Sequence, residues 1–352
     1  MDMLITAAVF LALLFLVIYK AKIYPDCNPG FFDLQNSTAL RAIWCVVVVM
    51  VHIPAEYGNR IQDMAGSFAY IGVTFFFLFS GYGLSTSLLR QGTIQKDFWA
   101  KRLVKLLVPQ FLINIVALLL RRVALGEQIT FSAFIWVARW LRWLIACYLV
   151  FWCAHKLFAK KTWANAMIGA MVIGCSLAAY FLKRHGIIVE TIWDTEVYGF
   201  FWGILLVVAF PLVQNWGKKH WIPKVAASCI GAMVLGLLYL KCKPVAFWGD
   251  YLLKIALGVV IIGVILLLNT RIAIGNRILN KLGSISYEIY LIHSILISVF
   301  KRMEPDISSG VFIVLVLSAS VILGAIIHAA SAIIVGKLLP ESKKKCSSQL
   351  HN

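Results

Sequence analysis

The chain has 352 residues, of which 61% are hydrophobic and only 14% charged, and its mean hydropathy is +0.87. Soluble globular chains run at roughly 45–50% apolar and about 25% charged residues, so these figures exclude a soluble cytosolic enzyme and point to a polytopic membrane protein. Thirty-three Lys and Arg against fifteen Asp and Glu give a formal charge of +18; basic residues gathered in cytoplasmic loops account for that excess, so no nucleic-acid partner is implied.

Crossing about 30 Å of hydrocarbon takes roughly 20 helical residues, and helices are required because an open sheet leaves its backbone unsatisfied in lipid. Eleven runs are candidates: 3–20, 38–55, 67–90, 103–121, 131–157, 163–182, 196–213, 224–241, 250–269, 284–300 and 310–336. The expected fold is therefore all-α, a transmembrane bundle of about eleven helices. No Lys or Arg precedes the apolar stretch from Leu4 to Ile18, which reads as a retained helix instead of a signal peptide. The chain divides into an N-terminal helix with its connection (1–37), a membrane domain (38–336) and a basic tail (337–352).

Charges in alternate connections orient the bundle. One set carries Lys96, Lys101, Arg102 and Lys105, then Lys156, Lys160 and Lys161, then Lys218, Lys219 and Lys224, then Arg271, Arg277 and Lys281. With the Lys343, Lys344 and Lys345 tail, these belong on the cytoplasmic side. The other set balances Glu56, Arg60 and Asp63, then Lys183, Arg184, Glu190 and Asp194, then Lys301, Arg302, Glu304 and Asp306. The expectation is an N-terminus outside and a C-terminus in the cytoplasm, with Arg121 and Arg122 as exceptions on an outer connection.

Ionisable groups inside membrane helices are costly and mark functional sites. The second run, LRAIWCVVVVMVHIPA, holds Arg41 and His52 eleven positions apart, close to three turns and about 16 Å of helix, so both point to one face. That suits a shaft with a cation at its mouth and an imidazole within; an interfacial Arg and a His hydrogen-bonded between helices fit the spacing equally. GVTFFFLFSGYGLS (72–85) offers Ser80, Gly81, Tyr82, Gly83 and Ser85, with small residues that allow close helix approach. FWAKRLVKLLVPQF (98–111) sets Lys101, Arg102 and Lys105 at a helix entrance, where such cations hold phosphate or simply follow topology. LGSISYEIYLIHSIL (282–296) brings Tyr287, Glu288, Tyr290 and His293 into the tenth run, with Tyr290 and His293 neighbours at i, i+3. His155 and His328 have no evident partner. The eight cysteines show no metal-ligand spacing, and no HExxH, GxSxG, Walker A or GxGxxG occurs.

In this order, Arg41-x10-His52 with its TALR lead-in, GVTFFFLFSGYGL, FWAKRLVKLLVP and LGSISYEIYLIH, the sequence resembles the acyltransferase 3 family of integral-membrane O-acyltransferases over about residues 38–335. It departs from the family pattern in a helix ahead of the usual ten-helix core and in Ala100 and Lys101 at an entrance that is otherwise richer in arginine. The resemblance implies transfer of an acyl group, most often acetyl, from a cytoplasmic acyl-CoA such as acetyl-CoA to a hydroxyl of a cell-surface polysaccharide or its lipid-linked precursor. It implies a multi-pass protein of the plasma membrane, in contact with membrane lipid and a sugar acceptor and using no metal. His52 and Arg41 would be the catalytic residues, with His52 acting as general base or carrying the acyl group. Arg41, Arg102, Lys105 and Lys101 would hold the coenzyme phosphates, and Ser80, Tyr82, Tyr287, Tyr290 and His293 would line the substrate cavity. The alternative function is transport of a glycan or anionic solute.

Overall fold

A computed structural model describes residues 2–189, 192–303 and 306–339. Of the residues named above, Glu190, Glu304 and the Lys343 to Lys345 group lie outside them, as does most of the 337–352 tail. The described residues form an all-α bundle, 79% helical. In chain order the helices are α1 (Asp2–Ile18), α2 (Leu34–Val51), α3 (Arg60–Gly66), α4 (Tyr70–Gln91), α5 (Phe98–Leu120), α6 (Phe131–Phe134) and α7 (Arg139–Leu157). They continue with α8 (Lys161–Arg184), α9 (Tyr198–Lys218), α10 (Trp221–Cys242), α11 (Lys254–Asn269), α12 (Arg277–Ser284), α13 (Ser286–Met303) and α14 (Ser309–Leu338). The strands β1 (Lys22–Ile23) and β2 (Ile272–Ala273) pair antiparallel, Lys22 opposite Ala273. Asn28 reinforces this connection, its Nδ2 donating to the Asn269 carbonyl at 3.0 Å.

Eleven of these helices have sixteen residues or more, one for each apolar run, but only eight are long and apolar enough to cross a membrane. A ninth crossing results when the α12–α13 pair, bent by 65°, is taken as one span. The bend falls at Ile285, where Ser286 Oγ donates to the Gly283 carbonyl at the end of α12 at 2.8 Å, and Cys45 Sγ from α2 donates to Ser286 O at 3.2 Å. α1 falls short in length. The run at 131–157 is interrupted between Phe134 and Arg139, and α7 carries Arg139, Arg142 and Lys156 near its ends while burying Trp140, Leu141, Leu144 and Phe151.

The outside of the bundle is apolar. Leu11 is 65% exposed, Val208 65% and Ile326 60%, and on α10 only Gly236 and Tyr239 are buried, so that helix presents most of its surface to lipid. Since lipid competes equally for apolar side chains, inter-helix cohesion rests on close packing. Its tightest expression is between α4 and α9. A Cβ on Gly81 would run into the Phe200 carbonyl, one on Gly199 into Thr74 O, and one on Gly203 into Leu78 O. The obstacles are backbone atoms, which no rotamer change relieves. Gly83, two residues from Gly81, has open space around it. Gly81→Ala is therefore expected to cost about 1–3 kcal/mol through overpacking, read as a lowered thermal midpoint of the detergent-purified protein, whereas Gly83→Ala leaves the midpoint unchanged.

Candidate functional site

Two cavities open at opposite ends of α5 and α7. The larger, about 660 Å³, is lined by His52, Gln110, Asn114, Arg121, Trp136, Arg139, Trp140, Trp193, Tyr290 and His293 among others. The α2 ladder stops at Val51; His52 is its C-cap, and Pro54 follows at a position where the helix cannot continue. The exposed His52 ring holds Nδ1 2.7 Å from Val48 O. A carbonyl only accepts, so Nδ1 carries the hydrogen and the neutral ring keeps its lone pair on Nε2. His293 repeats the arrangement: Nδ1 lies 2.5 Å from Tyr290 O, and its buried Nε2 has no hydrogen-bond partner. The two imidazoles meet edge to face with centroids 4.9 Å apart, so α13 brings a second imidazole against the one that ends α2.

Sequence reasoning confined to ionisable groups passes over an amide pair that shapes this cavity. Gln110 Nε2 donates to Asn114 Oδ1 at 2.8 Å, and Asn114 Nδ2 donates to the carbonyls of Phe134 and Trp136, both at 2.7 Å. The non-helical chain between α6 and α7 is thereby stitched to α5. Two amides four residues apart in the apolar half of α5, just after Pro109, are the signal that was there to be read.

The smaller cavity, about 120 Å³, lies where the end of α4 meets the start of α5 and is lined by Ser87, Gln91, Asp97, Lys101, Arg102, Lys105 and Phe151 among others. Three cations around so small a space suit a phosphate group. Lys101 is ion-paired with Asp97; Arg102 is half-buried and Lys105 exposed. On α5 their walls extend from Arg102 to Asn114, about 18 Å, and come closest at Lys105 and Gln110, about 7.5 Å apart.

An aromatic layer fills the interval. The Trp140 ring lies 6.0 Å from Tyr287 and 5.1 Å from Tyr290, and Tyr287 Oη donates to Leu106 O at 2.8 Å. Tyr148, two turns beyond Trp140 on α7, is buried within hydrogen-bonding reach of Ser80, whose hydroxyl also donates to Phe76 O at 3.0 Å. Tyr290 and His293 thus line the His52 cavity, Tyr287 and Ser80 lie in the layer, and Tyr82 sits apart, edge-on to Phe32 with centroids 4.9 Å apart. Arg41 lines neither cavity; its Nη2 donates to Thr38 Oγ1 at 2.9 Å while its buried Nε has no hydrogen-bond partner. Glu288 is within electrostatic reach of it. His328, without an evident partner in sequence, has one here: its Nδ1 lies 2.9 Å from Glu288 Oε1.

The residues just before α9 carry a second charged group. Lys254 Nζ lies 2.8 Å from Glu196 Oε1 and 4.8 Å over the Tyr70 ring, and Ser176 Oγ donates to Asp194 O at 2.5 Å. Burial, with Glu196 beside it, raises the Asp194 carboxyl above its ordinary value against the pull of Lys254. These contacts fix the backbone next to Trp193, a wall of the His52 cavity. Among the described residues, no cluster of three or more His, Cys, Asp or Glu is placed to hold a metal ion. Lys254→Met leaves Glu196 buried without its counter-charge and is expected to cost about 3–5 kcal/mol, while Lys254→Met with Glu196→Gln recovers most of that loss; thermal unfolding of the three proteins measures both.

No curated protein and no solved structure matches the chain. Residues 34–330 do match the Acyltransferase domain family, an interval that runs from the first residue of α2 into α14 and takes in both cavities and the layer between them. The chain therefore belongs to the acyltransferase 3 family and is a multi-pass membrane protein carrying that family's acyltransferase domain.

Proposed function

We propose that the protein transfers an acyl group, acetyl foremost, from acyl-CoA at the Lys105 cavity to a hydroxyl of a cell-surface polysaccharide or its lipid-linked precursor in the His52 cavity. The observation that carries this reading is the pair of imidazoles whose Nδ1 atoms are tied to backbone carbonyls, which leaves Nε2 of His52 as a base on the wall of a 660 Å³ cavity. Nε2 takes the proton of the acceptor hydroxyl as its oxygen attacks the thioester carbonyl. The tetrahedral intermediate collapses with cleavage of the C–S bond, and the departing thiolate receives the proton from His52, so the products are the ester and free coenzyme A. His293 supplies a second acceptor nitrogen beside the first. In the competing route the acyl group rests on His52 before the hydroxyl takes it.

Arg102 and Lys105 are assigned to the coenzyme phosphates. Lys101, already paired with Asp97, contributes less. Arg41, which lines neither cavity, is assigned no coenzyme contact. An extended pantetheine arm spans the interval of about 18 Å along α5, following the rings of Tyr287 and Tyr290. The matching orientation has the N-terminus outside and the Lys105 cavity on the cytoplasmic face of the plasma membrane, in keeping with the alternating basic connections.

Membranes carrying the wild-type chain are expected to move radiolabel from acetyl-CoA into surface glycan, and His52→Ala at equal protein level to reduce the rate by about 100-fold or more. Arg102→Gln is expected to raise the KM for acetyl-CoA about tenfold with kcat little changed. Equal labelling by wild type and His52→Ala removes His52 from the chemistry, and label recovered on the protein after acceptor is withheld selects the acyl-histidine route.

A further inference from the structure

Arg121 and Arg122 run against the charge pattern of the loops, and acyl transfer as such gives them no task. Arg121 opens a π-helical turn, Arg121–Leu125, that follows α5 and ends at Gly126 with φ +69°. Such wide turns recur at functional sites. Arg121 and Arg139 both line the His52 cavity, and none of the lining residues is an Asp or Glu. Glu127 approaches Arg121 only to 3.8 Å, with both side chains about half exposed, whereas a charge-assisted bond closes to about 2.7–2.9 Å. Arg139 has interactions of its own, but a guanidinium offers five donors.

The amide pair of the cavity is spent. Asn114 gives both amide hydrogens to carbonyls, and its oxygen accepts from Gln110. Beside the hydroxyls of Ser132, Ser294 and Tyr290, a ligand meets the guanidinium N–H groups and the faces of Trp136, Trp140 and Trp193. Aromatic faces suit the apolar side of a sugar ring, and guanidinium suits a carboxylate or phosphate bidentately.

We propose that the His52 cavity binds a sugar bearing a negative charge, as a carboxylate or a phosphate, with Arg121 as the discriminating residue and Arg139 beside it. Only the naming of this sugar as the acyl acceptor rests on the acyl-transfer reading; the binding itself does not.

The test is calorimetric titration of the detergent-purified protein with methyl glucuronide, glucose 1-phosphate, methyl glucoside and inorganic phosphate. At least one anionic sugar is expected to bind tenfold or more tightly than methyl glucoside. Arg121→Gln, at a half-exposed position, is expected to remove most of that difference, and Arg122→Gln to leave it intact. Preference for glucose 1-phosphate assigns the charge to a sugar phosphate, and preference for methyl glucuronide to an acidic sugar. Equal binding of charged and neutral sugars, no binding of any sugar, inorganic phosphate binding as tightly as glucose 1-phosphate, or equal weakening of all ligands by Arg121→Gln overturns the proposal. Selective anionic-sugar binding without acetyl transfer to any acceptor would leave it standing and remove the acyl-transfer reading, whereas transfer with no discrimination by charge would do the reverse.

Discussion

The arrangement depends on the approach of α4 to α9 at backbone distance. With glycines at 81, 199 and 203, each helix lies against the other's carbonyls, and what projects from them is fixed accordingly. α4 sends Phe76 toward Tyr290 and Phe77 toward Trp140, and its last turns form part of the Lys105 cavity. α9 begins directly after the segment that holds Trp193 in the His52 cavity. One contact thus sets the aromatic layer and both of its ends, in a solvent where burial of apolar surface gives helices little reason to choose one another.

Polarity inside the bundle follows the same economy. Lys254 is matched by Glu196, Glu288 by His328, and the Gln110–Asn114 pair spends its hydrogen bonds on a stretch of chain that forms no helix. The exceptions are informative because buried polar atoms without partners are costly. Arg41 Nε, Glu288 Oε2 and His293 Nε2 are three of them, and they lie on α2 and α13, the helices that carry the two facing imidazoles.

The apolar runs made the number of long helices readable, since a membrane imposes its thickness on sequence more simply than a core imposes its shape. The proximity of His52 and His293 was not readable: Arg41 and His52 are related by helical spacing on α2, but His293 arrives through the packing of α13. Nor was the bend at Ile285, which lies within one apolar run and is contacted by α2 through Cys45. Reading charge alone hid Gln110 and Asn114, and reading each run alone left His328 without Glu288, forty residues away. Tyr82 shows the converse limit: it shares a helix and a motif with Ser80, yet a turn of the helix sends it to Phe32 on the other side.

The layer formed by Trp140, Tyr287 and Tyr290 has an electrical consequence. Cavities that reach inward from both faces leave little protein to hold the membrane potential, which amounts to about 2.3 kcal/mol for each elementary charge per 100 mV. These rings, packed 5 to 6 Å centroid to centroid, stand between the two cavities as an apolar barrier. In the proposed reaction the acyl group crosses between these aromatic faces, so the same spacing would set both the largest group transferred and the resistance to ion leak.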